Sequence, residues 1–547
     1  MPRSFKPCAA EGDHTMSSFS ALRLGTAWQR IAGLMDETAQ SFVRTSFSSV
    51  VRDNWDMAIG LMDSAGRQFA QSSRSVPSFV GTMPRTLAIM LQRYPVERLS
   101  PGDVLISNDG YYGTGHLNDI TMIKPIFAKG RVISWLGSTF HSTDIGGAPS
   151  VEARDSWEEG LTIPITRILK GGVENEDVIA FMEANLRQPD ETLGDIRAQF
   201  AAYEQAEKRL ARIMTEEGID DLDALAGEIF TRSERAMRDA IAAAPDGVVE
   251  DEVTADGFEH PVTIRLKLTI KGSDLILDFT GTDGQIARPV NAPLNFTRAY
   301  SNYAVKCAFD PATPNNDGSF RPITFIAPEG SIVNPRRPAP VWGRHLTGHY
   351  LPMLVLAALA KLIPDRVIAE SGSPLWNVYF TGENAEGRRY VRMFFMNGGH
   401  GAAPQHDGPA CLSFPSNVAT QAVEQFENAV PMLMTEKELI PNSGGAGRTR
   451  GGLSQRLSFE VVGEKPVTAT YRHERVQHPP RGVLGGEAGR GGRDLVNGKP
   501  VAAKARIVLQ TGDVITYETP GGGGMGPAAE RDPAAIARDI KEGYVTP

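Results

Sequence analysis

Beyond Asn397 the chain has little freedom to be helical. Four clusters, "NGGHGAAPQHDG", "NSGGAGRTRGG", "GGEAGRGG" and "PGGGGMG", crowd glycine into one region. Glycine loses more backbone freedom on ordering than any other residue, so it weakens helix and strand alike. Such density predicts tight turns, or backbone that approaches a ligand closely. Short strands such as "ARIVLQTGDVITYE" fit between the clusters, and no fixed-period repeat is present.

The preceding segments are patterned differently. Leu22, Trp28, Ile31, Leu34 and Met35 recur at helical spacing, and shorter apolar runs follow after "SSVVRD". From Val104 to Trp135, "VLI", "ITMIKPIF" and "VISWL" read as strands between glycine-bearing loops. Residues 177–245 are helical by composition and period. After Pro245, Val262, Ile264, Leu266, Leu268 and Ile270 alternate strictly, Gly272 and Ser273 supply a turn, and "LILDFTGT" returns, which predicts a β-hairpin. A helix is expected from near Gly343 through "LPMLVLAALAKLI", stopping before Pro364. The expectation is an α+β protein, a large mixed multi-lobed architecture with β-sheets, a central helical segment and glycine-rich loops. Its parts are a flexible tail over 1–17, an α/β lobe over 18–245 and a β-rich lobe over 246–547. Met16 is an alternative start.

At 547 residues there is ample chain to bury a core. A formal net charge of -9 leaves no basic footprint for nucleic acid or an anionic membrane. Cys8, Cys307 and Cys411 are too far apart for a Cys-x-x-Cys zinc ribbon or a disulfide framework. No apolar run approaches the ~18 residues of a membrane span, and the first residues lack the apolar core of a signal peptide. A cytoplasmic protein is expected.

Chemistry is expected where His-x-x-Asp occurs twice, in "GTGHLNDI" and "FHSTDIGG". Positions i and i+3 point apart in a strand, so a loop must bend for His and Asp to converge, and the glycines permit that. One imidazole from each copy plus one or two carboxylates makes three or four N/O ligands, suited to Zn, Mn or Fe. A lone His-x-x-Asp is more often a capped turn; two copies in matching settings favour a metal site.

These motifs sit in a wider pattern. "LSPGDVLISNDGYYGTGHLNDITMIKPIF", "STFHSTDIGG", "EEGLTIPITRI", "NLRQPDETLGDIRAQFAA", "SGGAGRTRGG" and "TPGGGGMGPAAERDPAAIARDIKEGYV" resemble the hydantoinase B/oxoprolinase family over roughly residues 18 to 546. The resemblance implies a B-type subunit working in a hetero-oligomer with a hydantoinase A-type ATPase. That partner binds ATP and phosphorylates the substrate oxygen. Cyclic-amide hydrolysis of a hydantoin, oxoproline or lactam is then expected, with ketone carboxylation as the alternative. The absence of G-x-x-x-x-G-K-[ST] agrees with ATP being bound elsewhere. Carried over by position, the metal ligands fall on His116, Asp119 and His141, with Asp144 as a fourth ligand or a carboxylate behind an imidazole. Asp144 or Asp109 is the expected proton acceptor. Ser142 follows His141 where many members have a second His, Ser78 also stands where His is common, and Gly110 follows Asn108 and Asp109 where Pro is common.

Further candidates come from spacing alone. His345 and His349, in "RHLTGH", are four apart at a helix start and are assigned to substrate binding. Arg448 and Arg450 are assigned to a phosphoryl or carboxylate group. His400, His406 and Asp407 are weaker candidates for lining the same cavity, and the amides of "TPGGGGMG" for an anion nest.

Overall fold

The computed structural model describes residues 20–147, 153–384 and 387–546. The tail expected over 1–17 lies outside the described residues, as does Met16. The architecture is α+β, with four sheets and their helices in several lobes.

The first helix, Ala21–Thr45, starts where the Ser20 side chain accepts from the Arg23 amide, a capping bond that satisfies one orphan donor. Its apolar stripe, Leu24, Ile31, Leu34, Met35 and Phe42, is buried with residues of the long helix Pro189–Glu217 against one face of a seven-stranded sheet. The strands are β1 Met57–Met62, β2 Gln68–Gln71, β3 Val104–Ser107, β4 Asp119–Ala128, β5 Arg131–His141, β6 Thr166–Lys170 and β7 Val173–Glu174, in spatial order β2-β1-β5-β4-β3-β6-β7. The other face packs Met62, Leu105, Ile123 and Trp135 beneath the helix Met83–Arg93. A sheet covered on both sides explains why β4 and β5 read as nearly continuous apolar runs rather than alternating ones.

The helical stretch resolves into Glu176–Asn185, Pro189–Glu217 and Leu222–Ala242. The last of these is shared between cores: Leu222, Leu225, Ile229 and Phe230 join the first, while Met237 and Ile241 join the next. That second core lies under β8 Gly247–Ala255, β9 Val262–Lys271, β10 Asp274–Asp278 and β11 Ile323–Ile326, in order β11-β10-β9-β8. The predicted hairpin is β9 and β10, paired from Lys271↔Asp274 outward. The helix expected from Gly343 is present in two pieces, His345–Gly348 and Tyr350–Leu359, interrupted at His349.

The last nine strands are β12 Trp376–Glu383, β13 Arg389–Met396, β14 Met432–Leu439, β15 Gln455–Val461, β16 Val467–Arg472, β17 Arg493–Val496, β18 Lys499–Pro500, β19 Lys504–Leu509 and β20 Val514–Glu518. They form two sheets, β13-β12-β16-β19 and β14-β15-β20-β17-β18, around the aromatic core of Phe380, Phe394, Phe426 and Phe459. Consecutive strands switch sheets: β15 and β16 are neighbours in sequence but not in space, and so are β19 and β20.

The glycine clusters converge into one knot where backbone packs on backbone. A Cβ on Gly401 would lie 1.8 Å from the Ala369 carbonyl oxygen, and one on Gly522 would lie 2.0 Å from that of His400. The anion nest expected at "TPGGGGMG" is not formed. Every amide from Gly521 to Met525 already donates to a backbone carbonyl, those of Arg490, Gly452, Glu370, Glu487 and Thr449 in turn.

Candidate functional site

The turn between β4 and β5 sets the geometry. Ala128 pairs with Arg131 across Lys129 and Gly130, both at positive φ (50° and 76°), a two-residue hairpin turn whose twist matches the strands. With a bulge at Ile126/Phe127, the register carries Asp119, the first residue of β4, opposite His141, the last of β5. A slip of one residue would turn one of them to the other face. Asp119 and His141 therefore belong to strand ends rather than to the expected loops, and only His116 and Asp144 lie in loops. Gly115, at φ 106°, bends the chain before His116, and a Cβ there would meet Arg344 Cδ at 2.4 Å.

One ligand atom from each of His116, Asp119 and His141 lies within 4.8 Å of the others, and all three residues are buried. Asp119 Oδ1 is 2.7 Å from His116 Nε2 and 3.1 Å from His141 Nδ1. Its other oxygen accepts from Thr114 Oγ1 and, at 2.5 Å, from Arg344. Arg344 and the imidazoles hold the Asp119 carboxyl well below its usual range, against the opposing effect of burial. Burial, with Arg344 nearby, pushes His116 down to about 4, so the imidazole is neutral and ligand-competent near neutral pH.

The donors fit a divalent metal. His116 Nδ1 lies 3.0 Å from the Trp342 carbonyl and 3.1 Å from an Arg344 nitrogen. If Nδ1–H donates to the carbonyl, Nε2 turns a lone pair toward Asp119 Oδ1, an arrangement that needs a cation between them. The other tautomer donates Nε2–H to Asp119 and suits the metal-free chain. His141 Nε2 is buried without any hydrogen-bond partner.

His116 and His141 open on a narrow cavity of about 60 Å³ that is also lined by residues from far along the chain. His345 and His349 both line it. His345 Nε2 has no partner, and burial lowers its pKa well below the usual value. His349 is pinned, its Nδ1 accepting from the Leu375 amide at 3.1 Å and its Nε2 lying 2.9 Å from the Tyr300 hydroxyl. Ser78, the expected departure from the family pattern, also lines it.

Three residues that spacing did not flag complete the cavity. Asp56, just before β1, is raised to about 6, chiefly by burial, with His141 opposing and Asp119 adding to the rise. Arg472, the last residue of β16, is 1% exposed, stacks 3.8 Å from the Trp342 ring centre, and has Nε and Nη1 without partners. Arg344 is the third, held over the Phe296 ring at 4.4 Å. It opens the segment "RHLTGH", where only the paired histidines carry a spacing signal. Asp56 and Arg472 sit in no motif at all.

The remaining expected residues lie elsewhere. Asp144 does not reach the cluster. Its Oδ1 accepts from Gly146, and its Oδ2 from the amides of Arg187 and Gln188, so it fastens the start of the Pro189–Glu217 helix. Asp109 accepts from the Tyr111 amide and pairs with Arg337. Neither carboxylate lines the His cavity. Arg450 is buried against Asp539, 3.2 Å away, and Arg448 is exposed with Glu530 at 3.7 Å; Arg450 borders a different cavity. His400 turns its Nδ1 to the Gly401 carbonyl, His406 is exposed, and Asp407 pairs with Arg531.

The hydantoinase B/oxoprolinase family profile matches residues 21–528. The chain belongs to that family. Among relatives of this hydantoinase B-family chain, the B subunit of a putative D-/L-hydantoinase of Pseudomonas sp. (strain NS671) is 31% identical over 543 residues, 93% of this chain and 90% of that protein. The beta subunit of the caprolactamase of Pseudomonas jessenii is 27% identical over 551 residues, 93% of this chain and 92% of that protein. The crystal structure of the ATP-dependent caprolactamase from Pseudomonas jessenii shares the fold, with a TM-score of 0.90 at 24% identity, covering 97% of this chain and 95% of that one.

Proposed function

We propose that this chain is the B-type catalytic subunit of an ATP-dependent amidohydrolase, opening a cyclic amide that an A-type ATPase partner has phosphorylated. The observation that carries the reading is the meeting, in one cavity, of His116 and His141, the imidazoles of the cluster with Asp119, and the unpartnered guanidinium of Arg472. Relatives named as the B subunit of a hydantoinase and the beta subunit of a caprolactamase support the heteromeric arrangement and the substrate class.

When bound, a divalent metal supplies Lewis acidity and makes water acidic enough to attack near neutral pH. His116, Asp119 and His141 would hold it, with the Trp342 carbonyl fixing the His116 tautomer. Arg472 offers a cationic fork to the phosphoryl oxygens and to the charge that develops on the ring carbon's oxygen, while Arg344, committed to Thr114, His116 and Asp119, holds the cluster in place. Asp56, in the same cavity, accepts the proton of the attacking water. As the tetrahedral carbon collapses, the phosphoryl group leaves as phosphate and the C–N bond breaks, and the proton that Asp56 took from the water passes to the ring nitrogen. His345, neutral and with Nε2 unpartnered, lines the same cavity as a polar contact for the substrate. Phe296, Trp342, Tyr379 and Val76 keep bulk water from the activated ester.

The test is co-expression with an A-type subunit and ATP turnover across hydantoins, oxoproline, lactams and ketones. Ring opening coupled to ATP hydrolysis, absent from either subunit alone, is expected. Carboxylation of a ketone in place of ring opening would transfer the same cavity to the alternative reaction, and ATPase activity in the isolated chain would end the division of labour.

A further inference from the structure

The helix Leu294–Phe309 has a second functional face. Phe296 and Tyr300, one turn apart, line the candidate site, whereas Asn295, Arg298, Ala299 and Asn302 line another cavity of about 130 Å³. Arg85, from the first turn of the Met83–Arg93 helix, enters that cavity too.

The charges there are uncompensated. Outside the candidate site, where Arg472 is also unpaired, buried or part-buried arginines such as Arg450 and Arg481 have carboxylates, Asp539 for the first and Glu370 and Asp251 for the second. Arg85 and Arg298 are part-buried, and among the described residues neither has a hydrogen-bond or ion-pair partner. Arg298 has only the Phe325 ring, 4.8 Å away, and it feels the positive charge of Arg85. Asp317, which also lines the cavity, pairs with Arg321 instead. Two part-buried guanidiniums lining one cavity without an anion are costly.

Acceptors are left over beside them. Gln68, Asn295 and Asn302 are 3%, 5% and 7% exposed, and the side-chain oxygen of each has no partner. The nitrogens of the first two are committed, that of Gln68 to Gln71 and that of Asn295 to the carbonyls of Tyr112 and Gly113, so oxygen is the free atom. A bare anion would satisfy the arginines and leave these oxygens unpaired. A carboxylate with N–H groups on the same molecule satisfies both sets.

We propose that this cavity binds a small carboxylate carrying N–H donors, such as an ω-amino acid or an N-carbamoyl amino acid. The ligand class follows from the charges and acceptors alone. Its reading as product rests on the function proposed above, since opening any cyclic amide leaves a carboxylate and an N–H on one molecule. The cavity would then receive what the adjacent site releases.

The test is direct binding to the full-length chain, with neither ATP nor partner, by calorimetry and thermal shift. The probes are 6-aminohexanoate and N-carbamoylglycine, with hexanoate, hexylammonium and inorganic phosphate as comparisons. The two amino-carboxylates should bind saturably and raise the melting temperature. Hexanoate should bind about tenfold more weakly or worse, and Arg298→Met and Arg85→Met should each weaken the probes about tenfold or more with metal content unchanged. Because the arginines sit on different helices and repel, at least one variant should fold at wild-type stability or better. No saturable binding, phosphate binding tighter than the amino-carboxylates, binding kept in both variants, or binding lost on His141→Ala would each overturn the proposal. A failed substrate panel with intact binding would count against the hydrolase reading and leave this site standing.

Discussion

The two walls of the candidate cavity are built by different means. One wall, the cluster of His116, Asp119 and His141, comes from a single hairpin and the loop that leads into it, and the turn fixes Asp119 opposite His141. The other, Arg344, His345, His349, Tyr379 and Arg472, is gathered from separate segments. Their positions depend on loops that pack at backbone distance: the Leu375 amide holds His349, and Gly372 nearby donates to the Gly399 carbonyl within the glycine knot. The first wall is specified by register, the second by contacts distant in sequence. Damage should therefore spread differently from each.

The largest effect is expected in the knot. Gly401→Ala would place a methyl 1.8 Å from the Ala369 carbonyl oxygen, and rigid backbone on both sides gives it nowhere to go. A loss above ~4 kcal/mol, the scale of the most disruptive single substitutions, should leave no soluble folded chain. Far-UV circular dichroism and soluble yield would check it. A well-folded Gly401→Ala protein would mean that the second wall is not held in this way.

The first wall should fail without unfolding. His141→Ala removes the last side chain of β5 while leaving the strand's backbone pairing and the cores on both faces of the sheet. Bound metal and turnover of the complex should both be lost, and the melting temperature of the metal-free chain should stay close to that of metal-free wild type. Metal content per chain and calorimetry separate this from Gly401→Ala. Equal metal in mutant and wild type would remove His141 from the ligand set.

This contrast explains what the sequence disclosed. His-x-x-Asp pairs are readable because i, i+3 spacing and strand register are local. The hairpin of β9 and β10 is readable for the same reason. Asp56, Arg344 and Arg472 each stand apart from any recurring pattern, and only tertiary packing makes them neighbours of the cluster. Glycine density pointed to tight turns or to backbone close to a ligand; what the glycines approach is the chain's own backbone, whose carbonyls consume the amides that a nest would need. Asp144 misled because a carboxylate three residues after a histidine can equally well hold the next helix by its amides. Nothing local to β15, β16, β19 and β20 marks consecutive strands as belonging to different sheets.

Asp56 sits against both walls and should report on them through pH. Burial raises it to about 6, so it is protonated below that pH and available as a base above it. Turnover limited by this group should rise as pH increases through about 6 and then level. Asp56→Asn should remove that rise and lower the plateau by roughly 10²–10⁴-fold, the usual range for a general base. An unchanged acid limb in Asp56→Asn would assign the proton transfer to another group.

The smallest of these effects should come from Arg472, where the two walls meet over Trp342. Its guanidinium is buried, is lowered to about 10 by that burial, and has no ion-pair partner among the described residues. It is still charged near neutral pH, so the resting fold carries an unfavourable charge there. Removing that charge should help the fold and harm the reaction. Arg472→Met is expected to retain metal, to melt at the same temperature or higher by the equivalent of ~1–4 kcal/mol, and to lose roughly 10²-fold in kcat. Arg472→Lys keeps the charge but not the planar fork, and should recover only part of the rate. A purely structural arginine predicts the reverse, a less stable protein with kcat intact. That outcome would leave the cluster wall without a free cationic counterpart and end the phosphoryl-binding role proposed for Arg472.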